Sequence, residues 1–164
     1  MASGDTLMVF TALSNEPPSS NYATVDTRNG AVVLDFDDGP TSESAIFSGV
    51  MPQHYSGTTG ITVYIHYSMT SATSGTVDWS VSFDRIGDGQ QDIDSDSFAD
   101  ANSVTGTTVP GTSGHIDIVS VDFDDGADMD SVAKGESFKI KVTRSDTPES
   151  GGDAELYKIE LRER

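Results

Sequence analysis

An antiparallel, all-β sandwich of eight or nine strands is the fold that this 164-residue sequence predicts. Three observations carry the prediction. Alternation of apolar and polar residues with period two dominates the chain. Clusters of Gly, Ser and Asp separate the alternating runs at the regular spacing of sandwiches and barrels. Hydrophobic residues make up only 35%, which suits a thin two-sheet core better than a thick helical one.

The elements follow in chain order. Leu7 to Ala12 reads as a strand, and Asn15 to Asn21 as a loop, because Pro17 and Pro18 cannot join a ladder. Residues 1–20 thus form an N-terminal strand or arm with a Pro-rich loop, part of the same unit as the sandwich of residues 21–164. Strands are expected at Ala31 to Phe36 and Ala45 to Val50. The clearest alternation comes next. Ile61, Val63, Ile65, Tyr67 and Met69 share one face, and Thr62, Tyr64, His66 and Ser68 the other. After a Ser/Thr/Gly connection, Val77, Trp79, Val81 and Phe83 repeat the pattern, so the two segments read as a hairpin. Val104 to Val109, Ile116 to Phe123, Glu136 to Arg144 and Glu155 to Leu161 complete the strands. The apolar phase slips between Ile118 and Val119, which calls for a β-bulge or a strand covered on both faces. Asp96 to Ser103 and Ala127 to Ala133 are expected to be short helical connections. One five-residue pattern occurs twice: Asp35-Phe36-Asp37-Asp38-Gly39 and Asp122-Phe123-Asp124-Asp125-Gly126. Shared turn chemistry is the plainer account of the echo, since Asp and Gly both favour turns; a duplicated half is the alternative, and five residues are too few to claim it.

Composition narrows the function. Nine Lys+Arg against 27 Asp+Glu give a formal charge of -18, which repels nucleic-acid backbones and anionic membranes. The plain meaning of such a charge is solubility; the sharper one is a surface for a basic partner or divalent cations. The chain has no cysteine, so disulfides and zinc–thiolate sites are excluded. Met1-Ala2-Ser3-Gly4-Asp5 is not a basic stretch followed by an apolar core, and no secretory leader is expected.

Few residues carry candidate chemistry. Asp88, Asp92, Asp94 and Asp96 crowd one loop and form the candidate metal set, with calcium as the possible ion. This is not an EF-hand loop, because Ser97 and Ser103 stand where that loop needs Gly and Glu. The plainer reading is a solvated acidic loop, with no cofactor at all. His54, His66 and His115 share no metal-ligand spacing. No nucleophile elbow or phosphate-cradling loop is present, and no catalytic residue is assigned. Trp79 falls on an apolar face and is expected in the core; Tyr64, beside His66 on the wet face, is placed to meet a ligand or another subunit.

Met129-Asp130-Ser131-Val132, Gly135-Glu136, the strand ending in Arg144, and Gly152-Asp153-Ala154-Glu155-Leu156 resemble the C-terminal strands of small jelly-roll proteins of tailed phages and prophages. Gly60 to Arg85, with its Ser71-Ala72-Thr73-Ser74-Gly75 connection, is similar to the same group. The resemblance implies a jelly-roll-like virion protein, not an enzyme, that decorates and stabilises the capsid. Its partners would be the major capsid protein and sister chains, in a trimer, with neither nucleic acid nor membrane. It would be made in the host cytoplasm and reside in the virion. Leu7, Val9 and Phe10 of the N-terminal segment, with Tyr64 and His66, would form the interface. The alternative is a receptor- or carbohydrate-binding module of a tail or head fibre, recognised by exposed aromatics near acidic loops.

Overall fold

The computed structural model describes residues 4–145 and 151–164. Its strands are β1 (Thr6–Thr11), β2 (Thr24–Arg28), β3 (Ala31–Phe36), β4 (Glu43–Val50), β5 (Ile61–Met69), β6 (Thr76–Ile86), β7 (Asn102–Thr108), β8 (Asp117–Phe123), β9 (Ser137–Arg144) and β10 (Ala154–Glu163). They form two antiparallel sheets. One runs β2-β3-β10-β5-β8, with β1 also paired to β10; the other runs β4-β9-β6-β7. β10 is the hub of the larger sheet. One edge pairs with β5 throughout, while the other pairs first with β3 and then with β1. The handover falls at Tyr157, where a β-bulge interrupts the register between Leu156 and Lys158.

Alternation explains which face each strand buries. Ile61, Val63, Ile65, Tyr67 and Met69 of β5 are all buried, and so are Val77, Trp79, Val81 and Phe83 of β6. The two inner faces interlock through rings. Trp79 meets Phe36 at 5.2 Å and Tyr67 at 5.4 Å between centroids, and Phe83 meets Phe123 at 4.9 Å, all edge-on. Edge-to-face pairs of this kind add about 0.5–1.5 kcal/mol each beyond area burial.

Several expectations need correction. β5 and β6 are not a hairpin: β5 lies in the larger sheet and β6 in the smaller, so residues 70–75 form an arch between layers. Period-two alternation fixes which residues face inward, but not which sheet a strand joins. β8 pairs with β5 without a register shift, so no bulge accompanies the phase slip. Ile118 simply points to solvent, 52% exposed, while Val119 turns in. Asp96 to Ser103 is not helical; Ala99 donates to the Phe83 carbonyl and the segment leads straight into β7. The second expected helix is a single 3-10 turn, Ala127–Met129. The strands number ten among the described residues, because polar β2 escaped the pattern: none of its residues is buried. Finally, Leu7 and Phe10 belong to this chain's own core, and β1 pairs with β10, so this part of the N-terminal segment is no free arm.

The repeated pattern closes opposite ends of the larger sheet. Phe36 is level with Ala154 and Met69, whereas Phe123 is level with Ile61 and Glu163. At the Phe36 end, Arg144 continues the inward phase of Phe138, Ile140 and Val142 and is 3% exposed. Its guanidinium donates to the Phe36 carbonyl at 2.7 Å and the Gly152 carbonyl at 2.8 Å, and lies 3.5 Å from Asp38. At the Phe123 end, the buried Tyr55 donates its hydroxyl to Asp125 at 2.7 Å.

Candidate functional site

The outer face of the larger sheet brings half-buried aromatic rings together with charges of both signs. Cross-strand pairing puts Tyr64 beside Glu160, Thr62 beside Arg162, and His66 beside Lys158. The bulge matters here. By inserting one extra residue, it turns both Tyr157 and Lys158 outward while Leu156 and Ile159 stay in the core. Arg162 stacks over the Tyr64 ring at 4.2 Å, and the Lys158 ammonium sits 4.7 Å from the Tyr157 ring centre.

Charges on this face are tied to one another. Glu160 accepts from Arg162 at 2.8 Å and from Thr6, and lies 3.8 Å from His66. The Arg162 bond, with help from Thr6, outweighs burial and holds the Glu160 carboxyl down at about 2. Burial lowers the His66 imidazole below its ordinary value, against the pull of Glu160. Arg28 pairs with Glu155 and also reaches the Met69 carbonyl at 2.9 Å. That reach brings the β2–β3 turn over the sheet.

Two depressions flank the His66–Glu160 pair. One of about 520 Å³ has Thr59, Thr62, Tyr64 and Arg162 in its wall. The other, about 440 Å³, runs between Val33, Ser68, Ile116 and Tyr157 and is edged by Arg28. Rings, apolar side chains and paired polar groups side by side suit a ligand with both C–H faces and hydroxyls.

A second feature lies at the Phe36 end. Asp35, Asp37 and Asp153 bring carboxylate oxygens within 4.8 Å of one another, the one such set of three among the described residues. Burial first, then repulsion from Asp153, Glu155 and Asp37, pushes the Asp35 carboxyl up to about 6. Its Oδ1 is buried without a hydrogen-bond partner.

The expected site residues fall elsewhere. Asp88, Asp92, Asp94 and Asp96 are all exposed in the β6–β7 connection, and none belongs to the converging set. Asp92 instead organises its own turn, accepting the Asp94 amide at 3.1 Å. Tyr64 and His66 do stand together on the outer face, half-buried, and Val9 is exposed. Sequence reasoning missed Arg162, Glu160 and Tyr157. The first two continue the outward phase of β10 and were readable; Tyr157 owes its direction to the bulge.

No protein-family model and no curated protein sequence matches this chain. Solved structures do. A family 35 carbohydrate-binding module from an environmental isolate is 14% identical with a TM-score of 0.52, covering 94% of this chain and 92% of that one. The carbohydrate-binding module CBM36, solved with calcium and xylotriose, is 14% identical with a TM-score of 0.50, covering 94% and 99%. An arabinose-bound α-L-arabinofuranosidase is 13% identical with a TM-score of 0.55, matching 98% of this chain but only 26% of its own. The fold is therefore the jelly-roll-like β-sandwich found in carbohydrate-binding modules.

Proposed function

We propose that this chain is a non-catalytic carbohydrate-binding module that holds its glycan on the outer face of the six-stranded sheet. One observation carries the reading. Tyr64 and Tyr157, on neighbouring strands of a sandwich shared with such modules, flank a row of paired polar groups between two depressions. Sugar C–H faces stack on the rings, while Arg162, Glu160, His66 and Arg28 exchange hydrogen bonds with hydroxyls. Because these charges already pair with each other, the face suits neutral glycans in a strongly acidic protein. Titration calorimetry against xylan, mannan, galactan and arabinan oligosaccharides tests this. Tyr157→Ala and Tyr64→Ala should each weaken binding about tenfold, the equivalent of about 1.4 kcal/mol and within reach of one aromatic contact. Full-strength binding by the double variant would remove the face from consideration.

In the same reading, Asp35, Asp37 and Asp153 hold a calcium ion. An all-carboxylate set suits a hard cation, and the unpartnered Asp35 oxygen supplies a ready ligand. Calcium should raise the melting temperature, EDTA should reverse the gain, and Asp153→Asn should abolish it. The capsid-decoration reading, with its trimer and capsid partner, keeps only the sequence resemblance in its support; co-sedimentation with intact heads is its test.

A further inference from the structure

A cleft of about 250 Å³ opens at the Phe123 end of the sandwich, away from the sheet face and from the three converging aspartates. Its walls come from two loops. Tyr55 contributes from one; Asp125, Ser131, Val132, Ala133 and Lys134 come from the other.

The second loop is held in an unusual shape. Asp130 and Ser131 take left-handed conformations in succession, φ 52° and 59°, which side-chain-bearing residues seldom adopt. Three ties hold them there. The Ser131 amide donates to the Gly126 carbonyl at 2.8 Å. The Asp130 carboxylate accepts the Arg85 amide at 2.7 Å. Arg85 also grips Glu136 with two nitrogens, and Glu136 in turn accepts the Ala133 amide at 2.9 Å. The cleft is thus preformed, which lowers the ordering cost of binding.

Its polar groups are arranged for a polyol. Asp125 spends one oxygen on the Tyr55 hydroxyl. As a carboxylate it keeps lone pairs for ligand hydroxyls. Lys134 is exposed and makes no ion pair among the described residues, so its ammonium is available as a donor. Ser131 can do either. Val132 and Ala133 give the cleft an apolar side. The volume lies just under the roughly 300–1,000 Å³ of sites for drug-sized ligands, leaving room for one ring.

We infer that this cleft is a second, independent binding site, taking a single neutral pyranose, as a free sugar or the terminal unit of a glycan. Asp125 selects against sugars that carry a carboxylate. The assignment does not require the sheet face to bind anything.

The test is amide-resolved NMR titration of the whole chain with free xylose, glucose, galactose and glucuronate. A neutral sugar should shift Gly57, Ser131, Ala133 and Lys134, whether or not Tyr64 and Tyr157 on the sheet face respond as well. Lys134→Ala, which breaks no side-chain hydrogen bond or ion pair among the described residues, and Asp125→Asn, which keeps an acceptor for Tyr55, should each weaken that response at least tenfold. Shifts confined to Tyr64 and Tyr157 would overturn the inference and leave the sheet-face reading standing. Silence at the cleft with every sugar, stronger binding of glucuronate than of neutral sugars, or unchanged affinity in both variants would overturn it as well.

Discussion

At one end of the sandwich, Asp35-Phe36-Asp37-Asp38-Gly39 turns over a buried guanidinium; at the other, Asp122-Phe123-Asp124-Asp125-Gly126 turns over a buried phenol. In both, the Phe enters the core and the acids gather at the rim. What differs is the partner below. Arg144 lies under a rim that includes Asp35, Asp38, Glu43 and Asp153, and burial lowers its pKa while those acids raise it. Tyr55 is neutral, and burial followed by the Asp125 bond raises its pKa further above the ordinary phenol value. The same five-residue sequence can therefore end a strand over a charge network or over a single neutral hydrogen bond. The inward-facing residue that another strand or loop supplies decides which.

Removing the cation should have the largest effect. Arg144→Ala leaves the Phe36 and Gly152 carbonyls unmet and the acids without their counter-charge, and should cost about 3–5 kcal/mol. Urea unfolding measures this, and a loss below that of Tyr55→Phe would erase the contrast between the ends. A pH effect comes next. The Asp35 pKa is raised above its unfolded value, so the folded state binds the proton more tightly. Stability should decline as pH rises from about 4 through about 6. In EDTA, with no cation at the three aspartates, Asp35→Asn should flatten that decline and stabilise the protein at pH 7–8 on the order of 1 kcal/mol, a figure reduced for partial exposure. Tyr55→Phe should cost about 1 kcal/mol, equally at pH 5 and 8, since only a neutral donor is lost. Glu160, between the ends, has the opposite sign. Its pKa is depressed, so its contribution is present above about pH 4 and disappears as pH falls through about 2. Glu160→Gln should remove that acid-side loss, by about 0.5 kcal/mol, in melting curves from pH 2 to 5.

Much of the fold was legible because burial in a sandwich imposes period two. Ala31–Phe36 and Ile61–Met69 carry their strand limits in the pattern itself. β2 was not legible, because a hairpin arm with no buried residue has no alternation to show. The site was harder to see. Arg144 is in phase with Phe138, Ile140 and Val142, so its burial was readable, but charge at a strand end invites a solvent assignment. The aspartate triad is different in kind: Asp35 and Asp37 flank a turn whose chemistry explains them, and only the folded chain brings Asp153 alongside. Likewise the outward turn of Tyr157 depends on where β3 yields to β1, which no local window contains.

β10 zips three other strands together, yet it is the last of the ten to leave the ribosome. Until residue 154 emerges, β1, β3 and β5 have no common neighbour, and the larger layer lacks its spine. Nascent chains stalled before that point should stay protease-sensitive in that layer, and maturation should be a single late event instead of a strand-by-strand build-up.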